Sequence, residues 1–198
     1  MALPAEKLER KYTYADYLQW PASERWELID GKAVCMSPAP SSEHQRILRK
    51  LSGCIGNFLE GRECEVFFAP FDVRLPDISQ ADEKITTVVQ PDLVVVCDPG
   101  KIDKRGCLGA PDLIVEILSP ATARKDWQDK RLLYERAGVR EYWLVDGAHH
   151  TVMVYELDGN GKYGELTVYG QGDSVPVGIL QGELVIALEQ ILPAVDGC

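Results

Sequence analysis

The chain has 198 residues, 45% of them hydrophobic, and a formal net charge of −10. This length predicts one domain with a full hydrophobic core. The acidity excludes a protein that coats nucleic acid non-specifically, because such binding needs clustered lysines and arginines.

The first third of the chain predicts two helices and a hairpin. A short helix is expected in TYADYLQW, with Thr13 as its N-cap. Two strand-like runs surround Asp30-Gly31 in RWELIDGKAVCM, which predicts a β-hairpin. A capping box of Ser42 and Gln45 then starts a long amphipathic helix that continues to Leu59.

The middle of the chain predicts strands that are apolar on both faces. CEVFFAPFDVRLP indicates a strand or a bent pair of strands, and a polar loop follows from 77 to 84. VVQPDLVVVCD and PDLIVEIL each indicate a strand, and a loop from 99 to 109 joins them. Strands without polar alternation are typical of a sheet with both faces covered. We therefore expect a sheet with a helix packed on each side.

The last third predicts a helix over 124–137 that ends at Gly138. A strand pair, EYWLVD and TVMVYEL, surrounds GAHH. A further strand at 164–169 and a short helix near 188–192 are expected after it. The segment from 124 to 140 has six basic and three acidic residues, a net charge of +3. A basic patch on an acidic body and an ordinary solvated helix face both remain open.

Six cysteines are spread along the chain, and none lies in a C-x-x-C pair. The three histidines do not complete a zinc spacing. Cys54 and Cys97 fall in apolar patterns typical of small core residues. No run resembles a signal peptide, and no stretch is long enough to span a membrane. These features predict free thiols and a cytoplasmic location.

Glu116 is the one charged residue in the apolar run of GAPDLIVEILSP. A buried carboxylate without a partner costs several kcal/mol or takes up a proton. If Cys97 and Pro111 pair in an antiparallel hairpin, Asp92 lies opposite Glu116, with Cβ atoms about 4.5–5.5 Å apart. A slip of one residue would break this alignment. Asp112 is a weaker candidate partner, because four residues along a strand span about 13 Å.

Two facing carboxylates need a shared proton, a cation or a metal between them. Two oxygen ligands plus waters are a usual way to hold Mg²⁺ in a hydrolase. On the following helix, Lys130 falls on the inward-facing row with Leu133 and Tyr134. A lysine in such a row often extends to water. This helix directly follows the Glu116 strand, however, so Lys130 could reach the carboxylates.

These residues resemble the PD-(D/E)XK nuclease superfamily. Pro91-Asp92 supplies the PD, and Glu116 supplies the acidic residue of the second half-motif. More narrowly, the chain is similar to a small bacterial family of putative restriction endonucleases that carries a domain of unknown function. The matching stretches, which span about 26 to 146, are WELIDGKAVCMSPAPSSEHQRIL, QPDLVVV, GAPDLIVEILSP and KDWQDKRLLYERAGVREYWLVD.

The resemblance implies an α/β restriction-endonuclease-like core, with a mixed central β-sheet flanked by helices in the order αβββαβ. An extra N-terminal hairpin and C-terminal strands would surround this core in one domain over 1–198, with the core at about 26–157 and an extension at 158–198. It implies a metal-dependent endonuclease that hydrolyses DNA, with Mg²⁺ or Mn²⁺ as cofactor and no organic cofactor. A homodimer is plausible, since duplex cleavage needs two sites.

The resemblance also assigns roles to residues. Asp92 and Glu116 would bind the metal with help from the Ile117 carbonyl. The position of the motif's lysine holds Leu118. In this family the role of that lysine moves to the next helix, which points to Lys130. Three further residues are candidates for lining the site: His44, Glu27 and Tyr134. His44 could instead be a core histidine, and Glu27 could be a surface residue that pairs across the strands. Tyr134 could simply pack in the core.

Two other functions remain open at this level. A catalytically degenerate relative could bind nucleic acid or a protein without cutting. The absence of the motif lysine, whose position holds Leu118, and the acidic net charge both favour this alternative. A structural domain could instead hold Glu116 and Lys130 as a buried ion pair. In that case Lys130→Met together with Glu116→Gln would be tolerated, whereas in a nuclease the double change would abolish metal-dependent cutting.

Overall fold

The computed structural model describes residues 10–21, 24–36, 40–77, 81–119 and 125–192, with side chains from 128 onward in the last range. Its helices are α1 (Tyr14–Tyr17), α2 (Ser42–Leu59), α3 (Lys125–Ala137) and α4 (Leu188–Ile191). Its strands are β1 (Trp26–Ile29), β2 (Lys32–Cys35), β3 (Glu65–Phe68), β4 (Val73–Arg74), β5 (Val88–Val89), β6 (Leu93–Val96), β7 (Ile102–Asp103), β8 (Gly106–Leu108), β9 (Leu113–Ile117), β10 (Glu141–Asp146), β11 (Thr151–Glu156), β12 (Thr167–Tyr169), β13 (Ser174–Pro176) and β14 (Val185–Ala187). Short 3₁₀ helices cover Asp82–Lys84, Pro99–Lys101 and Gly178–Leu180.

The central sheet has the strand order β12-β11-β10-β9-β6-β3. β9 and β10 run parallel, and the other neighbours are antiparallel, so the sheet is mixed. Apolar residues of α2 pack on one face, and those of α3 pack on the other. The elements α2, β3, β6, β9, α3 and β10 follow the expected αβββαβ order. The predicted fold class is therefore confirmed.

The register between β6 and β9 is the one proposed from the sequence. Leu93 pairs with Val115, and Val95 pairs with Leu113. Continued by one residue beyond Leu93, this ladder places Asp92 level with Glu116. The register is strongly specified because both faces of these strands are buried, and a one-residue slip would turn every side chain to the opposite face.

A second six-stranded sheet, in the order β2-β1-β5-β4-β8-β7, was not expected. VVQPDLVVVCD is not one strand: β5 belongs to the second sheet and β6 to the central sheet. The chain crosses between them at Gln90-Pro91-Asp92, where Pro91 has no N–H to continue a ladder. The 99–109 stretch, predicted as a loop, also contributes β7 and β8 to this sheet. The bent pair of strands is confirmed, since β3 and β4 lie in different sheets.

The predicted helix and turn signals are mostly confirmed. Asp30 and Gly31 have positive φ angles of 50° and 81° in the hairpin turn. Gly138 ends α3 in the same conformation, with φ of 86°. The start of α2 differs by one residue, because its N-cap is Ser41, which accepts a hydrogen bond from the His44 N–H. The predicted first residue of α3, at position 124, lies outside the described residues.

The prediction of free thiols is wrong for one pair. Cys64 and Cys97 form a disulfide between the neighbouring strands β3 and β6. The antiparallel pairing of Glu65 with Val96 brings the next residues of the two strands opposite each other. Cys35, Cys54 and Cys107 are free, and Cys198 lies outside the described residues. No helix in the described part of the chain is long and apolar enough to cross a bilayer.

The basic segment at 124–140 does not form an open basic patch within the residues described. Arg136 pairs with Asp30 at 2.6 Å, and Arg140 pairs with Asp112 at 2.9 Å. Asp112 also accepts a hydrogen bond from the Cys97 N–H at 2.8 Å. Asp112 is therefore engaged away from Glu116, so it is not the partner of that carboxylate.

Gly106 begins β8 and lies against Asp72, directly before β4, at a position that has no room for a side chain. Its φ is +114°, and a Cβ there would lie 2.2 Å from the Asp72 carbonyl oxygen. We expect Gly106→Ala to lower the free energy of unfolding by more than about 2 kcal/mol, from strain and overpacking combined. Urea denaturation would measure this. Gly61→Ala is the control, because Gly61 has φ +75° but open space around it, and about 1–2 kcal/mol is expected there.

Candidate active site

A cleft of about 1240 Å³ opens between the β1–β2 hairpin, the start of α2, the ends of β6 and β9, and α3. It exceeds the roughly 300–1,000 Å³ of a usual small-molecule pocket, which favours an extended substrate. Most of the residues predicted for the site line this cleft: Glu27, His44, Asp92, Glu116, Ile117 and Lys130. Tyr134 lies just beneath it, completely buried.

Glu116 extends from β9 toward α3. Its Oε1 accepts hydrogen bonds from Lys130 Nζ at 2.9 Å and from Tyr134 OH at 2.8 Å. These two donors are four residues apart on α3 and therefore share one face of the helix. The predicted reach of Lys130 to Glu116 is confirmed as a contact. Tyr134 both packs in the core and holds the carboxylate.

Asp92 lies at the crossing between the two sheets. Its Oδ2 accepts a hydrogen bond from the Ile117 N–H at 2.8 Å. The same oxygen lies 3.0 Å from His44 Nε2, on the first turn of α2. The other ring nitrogen of His44, Nδ1, is buried without a hydrogen-bond partner. His44 thus contacts a candidate metal ligand and is more than a core histidine.

Glu27 is a full member of the cluster, although the sequence left it open as a surface residue. Its side chain is 5% exposed, and its Oε1 lies 3.0 Å from Lys130 Nζ. The same oxygen accepts a hydrogen bond from the Gln90 N–H at 3.0 Å. Lys130 therefore bridges one carboxylate from each sheet, Glu27 from the second and Glu116 from the central sheet.

Gln90 supports the site but was missed from the sequence. Its backbone holds Glu27, and its side-chain Nε2 donates to Asp72 Oδ1 at 2.8 Å and to Tyr17 OH at 3.1 Å. Tyr17 OH in turn donates to Asp72 at 3.0 Å. A polar residue directly before Pro91-Asp92 in an apolar run was the available signal. It gave no hint of its partners, which lie far away in the chain.

Burial and the neighbouring charges change the proton affinities of this cluster. Burial raises the pKa of Glu116 to about 7. Lys130 lowers that pKa, whereas Asp92 and Glu27 raise it further. Burial disfavours the charge on Lys130, but the carboxylates of Glu116 and Glu27 outweigh it and raise the pKa of the lysine. Lys130 is therefore a firmly protonated cation.

The donor set suits a hard divalent cation. The second oxygens of the three carboxylates, Glu27 Oε2, Asp92 Oδ1 and Glu116 Oε2, accept no hydrogen bond from the described residues, and all three residues line the cleft. No three His, Cys, Asp or Glu side chains among those residues converge as a preformed metal cage. Mg²⁺ does not require one, because it usually keeps several waters and takes one or two carboxylates.

Leu118 occupies the motif position where a lysine was expected from the resemblance. It is partly buried and packs against the core cluster on the α3 side of the central sheet. The cation that contacts Glu116 and Glu27 comes from α3 instead, as Lys130. The Ile117 amide is committed to Asp92, and a role for the Ile117 carbonyl stays a prediction.

Comparisons with known proteins agree with this architecture. The family model Uma2, described as "Putative restriction endonuclease", matches residues 14–189. The uncharacterized protein slr1290 of Synechocystis sp. is 28% identical over 156 residues, which cover 77% of this chain and 78% of that protein. A crystal structure of a putative nuclease belonging to DUF820 from Anabaena variabilis superposes with a TM-score of 0.73. That match has 23% identity and covers 90% of this chain and 96% of the other, so it shows a shared fold.

The family match spans both sheets, α2 and α3, and includes every residue of the cleft cluster. Two features are consistent with this family match: the shared fold, and the position of Pro91-Asp92 at the crossing between the sheets. The chain belongs to the Uma2 family of putative restriction endonucleases.

Proposed function

We propose that this protein is a metal-dependent endonuclease that hydrolyses phosphodiester bonds in DNA. The observation that carries the proposal is the cluster of Glu27, Asp92 and Glu116 in the lining of one cleft, with the protonated Lys130 in contact with Glu27 and Glu116. Asp92 and Glu116, with the Ile117 carbonyl, would hold Mg²⁺ or Mn²⁺. Such an ion lowers the pKa of a bound water and stabilises charge on the phosphate.

In the reaction, a water oxygen forms a bond to phosphorus and one phosphorus–oxygen ester bond breaks. The departing oxygen takes a proton, which leaves a phosphomonoester and an alcohol. Lys130 is protonated, so it acts as a hydrogen-bond donor and a cation and not as the base. In that form it orients the water or offsets the negative charge that develops on the phosphate. Tyr134 keeps Glu116 oriented from below.

The backbone amides that hold the carboxylates fix their geometry. Asp92 is oriented by the Ile117 N–H of the neighbouring strand, and Glu27 is oriented by the Gln90 N–H. The Ile117 N–H belongs to β9, and the Gln90 N–H lies directly after β5. Both ligands are therefore held by backbone in or next to rigid strands, as a catalytic site requires. His44 contacts Asp92 from α2 and limits its motion from a third side.

The test is cleavage of supercoiled plasmid and of single-stranded DNA in the presence of Mg²⁺ or Mn²⁺. We expect the wild type to nick the plasmid, and we expect Asp92→Ala and Glu116→Ala to remove nicking, because each loses a metal ligand. Glu63→Ala is the control, since Glu63 is exposed and lies outside the cleft lining. EDTA should stop the wild type and the control alike.

Each other outcome points to a different function. DNA binding by a wild type that never cuts would favour a catalytically degenerate relative. No cutting, together with no effect of Mn²⁺ on the melting temperature, would favour a structural domain with an ion-paired Glu116. Nicking that survives both alanine substitutions would place the active centre elsewhere.

A further inference from the structure

The β1–β2 hairpin has two distinct faces, and neither is an ordinary solvent face. Trp26, Leu28 and Ala33 point into a hydrophobic core behind the second sheet. The alternate residues point into the cleft, because side chains alternate along a strand. These cleft-facing residues are Arg25, Glu27 and Ile29 on one side and Lys32, Val34 and Met36 on the other.

Arg25 and Lys32 are the cations of this cleft wall. Both are exposed, and neither forms an ion pair with any residue in the described part of the chain. Arg136, which also lines the cleft, is already neutralised by its contact with Asp30. Two unpaired cations in a cleft of carboxylates are notable in a protein with 31 acidic and 21 basic residues.

The hairpin register places these two cations on either side of the candidate metal site. Arg25 is two residues before Glu27, and Lys32 pairs with Ile29, two residues after Glu27. At about 3.3 Å per residue, each lies about 7 Å from Glu27 along the strand. The span between them, about 13 Å, corresponds to about four nucleotides along a duplex axis at 3.4 Å per nucleotide.

We propose that Arg25 and Lys32 bind the backbone phosphates on either side of the reacting phosphodiester. This inference rests on the proposed nuclease function and names how the substrate is held. An arginine fork matches phosphate oxygens, and a lysine provides a compact charge. Val34, opposite Glu27 between them, adds no charge. Along the hairpin, a cation, a carboxylate and a second cation therefore follow one another. One DNA strand of the substrate would run along this row through the cleft.

Phosphate contacts position the nucleic acid but carry no sequence information. The hairpin contact should therefore be equally strong on unrelated sequences. It also explains how a chain with a net charge of −10 can bind a polyanion, because two cations without ion-pair partners in the described part of the chain lie on the wall that the substrate follows. A small anionic ligand would need only one of the two cations.

The test is binding of the full chain to short labelled duplexes of unrelated sequence, with Ca²⁺ in place of Mg²⁺. Fluorescence anisotropy would be followed between about 50 and 200 mM NaCl, where phosphate contacts change affinity steeply. We expect Arg25→Gln with Lys32→Gln to weaken binding about tenfold or more on every sequence. The slope of log K against log salt should become shallower by about two.

Arg46→Gln with Arg49→Gln is the matched control. These arginines of α2 are exposed and outside the cleft lining, so the change in net charge is the same. We expect the control to leave the slope unchanged. In cleavage assays the hairpin variant should raise KM while kcat stays within about threefold, as expected when binding is lost equally from substrate and transition state.

The outcomes separate this inference from the proposed function. If the wild type cuts DNA and the hairpin variant binds and cuts like it, the phosphate contacts are refuted while the nuclease stands. An equal loss in the control would also refute them, since only net charge would matter. If a small phosphate ester binds as well as DNA and depends on one cation alone, the site is not for a polymer. A wild type that neither binds nor cuts DNA overturns both proposals.

Discussion

Replacing Lys130 with methionine is expected to lower the free energy of unfolding of the metal-free protein by about 3–5 kcal/mol. Lys130 is the cation that contacts both Glu27 and Glu116, and its side chain is 14% exposed. Without it, two carboxylates from different sheets face each other in a poorly solvated place. Urea denaturation in EDTA measures the loss. Lys104→Met, at an exposed turn, is the control and should change little.

A second substitution shows whether the loss comes from uncompensated charge. Glu116→Gln removes one of the two carboxylates, so Lys130→Met with Glu116→Gln should be more stable than the sum of the single changes predicts. Groups in one ion-pair network couple by about 0.5–3 kcal/mol. Additive effects would contradict the charge explanation and indicate lost packing. The double variant should not cut DNA, although a purely structural pair would leave any activity intact.

The contact between the central strands could be predicted from the sequence because it depends on local rules. Two apolar strands with both faces buried allow few registers, and the flanking Cys97 and Pro111 selected one of them. Asp92, directly before β6, and Glu116, within β9, then had to fall at the same level. Helical periodicity placed Lys130 on the inward row of the next helix, and chain order brought that helix over β9.

The second sheet could not be predicted in this way. β5 has only two residues, and its apolar character is continuous with β6 across Pro91. The position of Glu27 depends on pairing of β1 with β5 and on a contact with Lys130 that is 103 residues away in the chain. Periodicity contains no information on such contacts. The sequence therefore predicted the central half of the site better than the half that the hairpin supplies.

Glu116→Gln is expected to have opposite effects on stability and on function. In EDTA the variant should melt at a higher temperature than the wild type at pH 8, and the difference should be small at pH 5. Burial raises the pKa of Glu116 from its ordinary value of 4.5 to about 7. The folded protein thus binds this proton more tightly than the unfolded chain, so stability falls as pH rises from about 4.5 to about 7. Glutamine does not titrate and escapes this loss.

The charges that face Glu116 determine the size of this difference. Lys130 from α3 lowers the pKa of Glu116 and so makes the stability difference smaller. Asp92 and Glu27 raise that pKa and make the difference larger. Tyr134 keeps its proton, because burial and Glu116 raise the pKa of that phenol well above its ordinary value. Thermal melts of the two proteins at several pH values would measure the effect. A stability difference that is constant from pH 5 to pH 8 would show that Glu116 does not titrate in this range.

The same substitution should remove the response to metal. Mn²⁺ at a hundred times its dissociation constant stabilises a folded protein by about 2.7 kcal/mol, and we expect the wild type to melt later when Mn²⁺ is added. Glu116→Gln should lose this shift, because an amide oxygen is a poorer ligand than a carboxylate. Glu141→Gln is the matched control: Glu141 is also buried, but it bonds Trp143 and the Ile179 N–H outside the cleft. A Mn²⁺ shift that survives in Glu116→Gln would mean that the metal is held by other residues, and a shift lost in both variants would mean that it depends on overall stability and not on the carboxylate at β9.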